Sequence, residues 1–293
     1  MNQVLVPYDF SAFARRALAL ALQGFPFGKA SVAKMLHIID EGLYDNVLSR
    51  GHVPNEEAIS AYLAADLARV KTDLPKGASL KAEAVQRIVR GHPAEKILEN
   101  MKELNPAGII MGGQGHGGLK ERFLGRTAQR VLREATCPVL IIKDPESRSL
   151  PRHFLCAVDY SDASRKALKE TAALAAANQA GFSLLHVIEN PYVPYLERVA
   201  VEIHDEATVK GLRDEARTAL LRFENDVLGK PMASSHHAVF GKVTETITDH
   251  ARILHAGFVV VSSHGRGAAG RAVLGSVAED LVRRSPVDVL VIR

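Results

Sequence analysis

The sequence predicts an α/β protein made of two repeated, doubly wound domains, each a five-stranded parallel sheet with helices on both faces. Three observations carry this expectation. Short continuous apolar runs of strand length alternate with amphipathic segments along the 293 residues. The whole alternation occurs twice, at an offset close to 150 residues. A polar stretch bracketed by prolines, Asp144-Pro-Glu-Ser-Arg-Ser-Leu-Pro151, stands between the copies and reads as a short linker. The expected domains are residues 1–145 and 152–293.

Each copy opens on a strand, residues 3–7 and 154–158, whose unbroken apolar character suits coverage on both faces. Second strands follow at residues 31–39 and 182–188, each with a long insertion behind it, 40–75 and 189–231. In the second copy the next strand carries His236 and His237. Residues 109–111 and 258–261 read as fourth strands, and 139–143 and 289–293 close the copies. Helical spacing fills the gaps: Ala94, Ile97, Leu98, Met101 and Leu104 share one face, as do Ala278, Leu281 and Val282. Strands alternating with helices imply right-handed crossovers and a parallel sheet.

The repeat is legible residue by residue. Val6-Pro-Tyr-Asp9-Phe-Ser11 returns as Ala157-Val-Asp159-Tyr-Ser161, and Leu36-His-Ile-Ile39 as Leu185-His-Val-Ile188. Gly115 matches Gly265 and Gly125 matches Gly275. A period this long describes whole domains and not the turns of a solenoid.

Composition removes several function classes. The formal charge is +4, but basic and acidic residues interleave and no aromatic platform accompanies them, so no nucleic-acid partner is expected. No apolar run reaches the length of a membrane span, and no basic-then-apolar leader follows Met1. Two cysteines, Cys137 and Cys156, suit a reduced, cytoplasmic protein and read as core or turn residues. His236 and His237 are adjacent on a strand and point to opposite faces; His250 and His255 are poorly aligned. No metal held by His or Cys is therefore expected. There is no Gly-x-Ser-x-Gly elbow, no Ser-His-Asp set and no Walker A lysine, so no catalytic residue is assigned and none is positioned to activate water.

Two elements per copy carry chemistry. One is the end of the first strand: Pro7, Tyr8 and Asp9, and Ala157, Val158 and Asp159. The other follows the fourth strand: Gly112-Gly-Gln-Gly115, nine residues, then Gly125-Arg126-Thr127; and Ser262-Ser-His264-Gly265, nine residues, then Gly275-Ser276-Val277. In a doubly wound sheet these meet in the crevice beyond the strand ends. Glycines let the backbone turn and approach a ligand. The helix starts after Gly125 and Gly275 would favour a phosphate, as would Arg266. Asp9 or Asp159 could accept ribose hydroxyls or help hold magnesium, and Ile38 and Val187 lie where an adenine could rest. A plain helix-capping role for Asp9, Asp159, Ser11 and Ser161 stays open.

This pattern, Gly-two-Gly-nine-Gly-Ser/Thr with an Asp at the end of strand one, resembles the ATP-binding pattern of the universal stress protein family, over nearly the whole chain and twice. The resemblance implies strand order 3-2-1-4-5, ATP or a related adenine nucleotide as ligand, magnesium as its companion, and a role in stress-linked signalling or survival. It also implies edge-to-edge pairing through strand five, here intramolecular between residues 139–142 and 289–292; a homodimer stays open. The copies depart from the pattern at Arg126, where Ser or Thr is expected and Thr127 could supply a displaced hydroxyl, and at Ser262, which replaces a glycine. A scaffold with degenerate sites, acting through protein partners or another small ligand, is the alternative. Tyr44, Tyr192 and Tyr195 could line a pocket or cover core.

Overall fold

A computed structural model describes residues 3–28, 31–40, 55–114, 124–189, 206–265 and 274–293. The chain divides into two compact units: Met1–Leu150 with Val282–Val291 and Arg293, and Pro151–Leu281 with Ile292.

The first repeat runs β1 (Gln3–Pro7), α1 (Ala12–Leu22), β2 (Val32–Ile39), α2 (Glu56–Thr72), β3 (Glu83–Arg90), α3 (Pro93–Leu104), β4 (Gly108–Gly112), α4 (Arg126–Glu134) and β5 (Val139–Ile142). Its strands lie in the order β3-β2-β1-β4-β5, every neighbouring pair parallel. The three central residues of β1 and all four of β5 are buried, which explains their unbroken apolar runs. β3 is different: no residue in it is fully buried, as expected of an edge strand.

Local chemistry sets the helix ends. Ser11 caps α1 by accepting the Ala14 N–H (3.1 Å), and Asn55 caps α2 by accepting the Ala58 N–H (2.8 Å). Pro93 occupies the first turn of α3, where its missing N–H is no loss, and Asn105 ends that helix at φ 41°. α3 buries Ala94, Ile97, Leu98 and Met101 of the stripe expected from its spacing, while Leu104 at its end is half-buried. The segment read as an insertion after strand two contains α2, whose buried face is only Ile59, Leu63, Asp66 and Val70.

The second repeat runs β6 (His153–Ala157), α5 (Asp162–Asn178), β7 (Gly181–Ile188), α6 (Glu206–Leu228), β8 (Ser235–Phe240), α7 (Val243–Ile253), β9 (Phe258–Ser262), α8 (Ser276–Arg284) and β10 (Asp288–Ile292). β6 lies between β7 and β9, and β8 lies outside β7, all parallel. The Ser263 N–H donates to the Ile292 carbonyl (2.8 Å), as the Gly113 N–H does to Ile142 (3.1 Å).

Two polar features stabilise this repeat. Glu224 of α6 is fully buried and accepts from the N–H groups of Met232 (2.8 Å) and Ala233 (2.7 Å), while its other oxygen meets His236 Nε2 (2.7 Å). A hydrogen-bonded row crosses three strands: His153 Nε2 to Ser183 Oγ (2.8 Å), Ser183 Oγ to Ser235 Oγ (2.7 Å), and Ser235 Oγ to His237 Nε2 (2.8 Å). His236 and His237 thus serve separate partners on opposite faces.

Candidate nucleotide site at the strand ends

In each repeat the first strand is central, with neighbours reached by crossovers on either side. In the first repeat α1 packs with α2 in one layer, and α3 with α4 in another. The chain therefore parts at the carboxyl ends of β1 and β4, and of β6 and β9, where doubly wound sheets hold ligands.

The segment after the first strand is built the same way twice. Asp9 Oδ1 accepts the Ser11 N–H (3.0 Å) and hydroxyl (2.5 Å). Asp159 Oδ1 accepts the Ser161 N–H (3.1 Å) and hydroxyl (2.6 Å), and also the Ser164 hydroxyl. The serines are the helix caps, Ser161 accepting the Ser164 N–H (3.1 Å); the aspartates brace the caps. The residues between, Phe10 and Tyr160, hold φ of 64° and 65°, a left-handed conformation uncommon for bulky side chains. A histidine from the second strand anchors each turn: His37 Nδ1 contacts the Tyr8 carbonyl (2.8 Å) and His186 Nδ1 the Val158 carbonyl (2.9 Å). Ile38 and Val187 follow these histidines directly, beyond the last residue paired with strand one, and both are half-buried.

The second element arrives from the fourth strand. A Cβ on Gly265 would lie 2.7 Å from Asp159 Oδ2, so the glycine backbone runs against the carboxylate. The Gly275 N–H donates to the Ser263 carbonyl (2.7 Å), and Gly275 presents the start of α8, where Ser276 and Val277 are exposed. The Gly125 N–H donates likewise to Gly113 (2.8 Å), ahead of exposed Arg126 and half-buried Thr127. His264 is half-buried; its Nδ1 meets Ser263 Oγ (2.7 Å), and its Nε2 is buried without a partner among the described residues. Gly115 and Arg266 lie outside the described residues, as do Tyr44, Tyr192 and Tyr195.

The glycine that becomes Ser262 has a steric reason. A Cβ on Gly112 would lie 2.7 Å from Phe13 Cβ. The position corresponding to Phe13 in the second repeat is Ala163, so a serine is tolerated there. Neither Gly112 nor Ser262 has a positive φ, and the Ser262 hydroxyl donates to the His264 carbonyl (2.6 Å).

The strand ends of the two repeats differ in their surroundings. In the first, Tyr8 is buried, and its hydroxyl donates to Asp66 of α2 (2.5 Å), which also holds Arg15 Nε (3.0 Å). Burial, with Asp66 against it, pushes the Tyr8 phenol well above its ordinary pKa, so it stays a donor. Beside this network opens a cavity of about 590 Å³, lined among others by Phe10, His37, Ile59, Tyr62 and Arg69, within the range of small-molecule sites. Pro7 is half-buried and Asp9 exposed. In the second repeat Ala157 is half-buried and Val158 buried, and Tyr160 packs on His186 (4.3 Å) and Phe223 (5.1 Å). Motif reading missed Tyr8–Asp66 and Ser164, which belong to no spacing pattern.

Comparison with known proteins follows the same lines. The sequence profile of the universal stress protein family matches residues 1–143 and again 151–293. The universal stress protein YxiE of Bacillus subtilis is 29% identical over 147 residues, 48% of this chain and 99% of its own length. The universal stress protein Rv2005c of Mycobacterium tuberculosis is 26% identical over 225 residues, covering 74% of this chain and 71% of its own. A universal stress protein structure from Archaeoglobus fulgidus shares the fold, with a TM-score of 0.68 at 23% identity over 100% of this chain and 98% of that one. No helix among the described residues is long and apolar enough to cross a membrane. With its domain profile matched twice, the chain belongs to the universal stress protein family, in tandem form.

Proposed function

We propose that this chain is a cytoplasmic tandem universal stress protein that takes ATP or a related adenine nucleotide in at least one repeat and acts in stress response or signalling. The observation that carries this reading is the meeting of Asp159 with the Gly265 backbone at 2.7 Å from a would-be Cβ, at the strand switch point and beside the start of α8. Asp159 would receive the ribose, Val187 would support the base, and the backbone from Gly275 to Val277 would face the phosphates. The first repeat offers the same turn and the larger described cavity, with Ile38 in the place of Val187. The nucleotide would supply phosphate charge for that helix start; magnesium would accompany it. Binding, and not turnover, is the proposed event. Pairing of the repeats through residues 139–142 and 289–292 belongs to the same proposal and is supported by the nearly complete burial of both apolar segments.

The test is mass spectrometry of small molecules released by denaturing the purified chain, with calorimetric titration of ATP and magnesium. A scaffold reading keeps one observation in its favour: Asp159 Oδ1 is already occupied by Ser161 and Ser164. No released nucleotide and no heat of binding would decide for the scaffold.

A further inference from the structure

A second cavity, of about 220 Å³, lies within the first unit, walled by α1, the end of α2 and the linker after β5. Four arginines line it: Arg15 and Arg16 from α1, Arg69 from α2 and Arg148 from the linker. Two carboxylates, Asp73 and Glu146, share the walls, so the lining itself carries four cations against two anions. Arg15 is committed to Asp66 (3.0 Å), and Arg69 has only a long contact to Asp73 (3.8 Å).

Arg16 is the decisive residue. It is only 5% exposed, yet among the described residues no carboxylate forms an ion pair with it. One terminal nitrogen donates to the Ser149 carbonyl (2.7 Å) and, at 3.5 Å, to Ser147 Oγ, which ties the linker to α1. Its Nε is buried with no hydrogen-bond partner among the described residues. Burial lowers its pKa, and the fields of Asp288 and Asp144 offset this only through space. A guanidinium in such a place is expected to find an anion, since a buried charge without one is costly. Planar guanidinium groups match phosphate oxygens in pairs.

We infer that this cavity is an anion site for a small phosphate-type ligand, a free phosphate or diphosphate, closed by the linker through Arg148; it shares Arg15 and Arg69 with the larger cavity proposed for the nucleotide and differs from it in Arg16 and Arg148. Occupancy would fasten the linker to α1 and so couple an anion level to the segment between the repeats.

The experiment titrates the full chain with pyrophosphate by calorimetry, alongside ATP, in the unaltered protein and in Arg148→Gln and Tyr62→Ala. Arg148 lines only the smaller cavity and Tyr62 only the larger, and both are exposed, so both variants are expected to fold. Saturable pyrophosphate binding that Arg148→Gln weakens roughly tenfold, about the worth of one charge-assisted hydrogen bond, while Tyr62→Ala leaves it intact, is the expected result. ATP binding that persists in Arg148→Gln would keep the nucleotide crevice separate. No binding through the millimolar range overturns the inference, as does binding that Arg148→Gln leaves unchanged. Equal weakening by Tyr62→Ala would also overturn it, by placing the anion in the larger cavity.

Discussion

Replacing Glu224 by alanine tests whether the second repeat depends on one buried carboxylate. The side chain is fully buried and receives three donors, the N–H groups of Met232 and Ala233 and the His236 ring. Removing it strands the partners, and each buried group left unsatisfied costs about 1–3 kcal/mol. Met232 is 41% exposed, so its N–H can turn to water and recover part of that loss. His236 and Ala233 are more enclosed, and the vacated volume adds a packing penalty. The expected loss is roughly 2–4 kcal/mol in the unfolding of the second unit. Glu224→Gln keeps a carbonyl oxygen for the two backbone donors and offers an amide to His236, so it should cost only about 1 kcal/mol. Urea denaturation supplies the totals. Hydrogen exchange at the N–H groups of residues 232–236 assigns the loss to this corner, since two units need not unfold together. A loss in Glu224→Ala below about 1 kcal/mol, or equal losses in the two variants, would refute the reasoning.

Three further outcomes are expected. Gly265→Ala places a Cβ 2.7 Å from Asp159 Oδ2 and should weaken ATP binding at least about tenfold with little change in melting temperature; unaltered calorimetric affinity would count against the second-repeat site. It is a cleaner variant than Gly275→Arg, whose Cβ would lie 3.2 Å from the Ser263 carbonyl and disturb the backbone. Ser161→Ala removes both the cap of α5 and a partner of Asp159, and should destabilise by about 1–2 kcal/mol in thermal unfolding; a neutral result would mean water replaces the cap. Burial lowers the pKa of His153 and of His237, the latter also through neighbouring His250 and Arg217. The folded state therefore binds fewer protons than the unfolded chain. The stability this supplies is present above the unfolded value near 6.5 and is lost as pH falls through the folded values. A urea midpoint that stays flat from neutral to mildly acid pH would show the row of serines and histidines to be indifferent to charge.

Strands buried on both faces were the readable part of this fold. β1, β4, β5 and their counterparts are unbroken apolar runs because no polar residue has a wet face to occupy. β3 escaped delimitation because its residues are all partly exposed and its composition, with two arginines and a glutamate, reads as surface. α2 was hidden for a related reason: it buries four side chains spaced along one narrow line, and one of them is Asp66. The candidate site could be read where its residues sit at strand ends, as Asp159 and Gly265 do. It was illegible where partners are distant in sequence, as Tyr8 and Asp66 are, or where an ordinary helical serine such as Ser164 supplies the third donor. The departure at Ser262 has a steric account, because the constraint on Gly112 is the neighbouring Phe13 side chain and not a special backbone angle.

The row from His153 to His237 also has a direction. Each hydroxyl in it carries one hydrogen, so Ser183 and Ser235 can both point one way or both point the other. If the His153 Nε2 carries a proton and donates, the hydroxyls relay in series and the His237 Nε2 must be bare to accept; the reverse polarity exchanges the two rings. Should both rings be protonated, both ends donate inward and one serine hydrogen loses its place in the row. The tautomers of two histidines 84 positions apart in sequence, on β6 and β8, are therefore correlated through two rotatable hydroxyls, and a change of tautomer on the central strand is registered by a flip two strands away, at the edge.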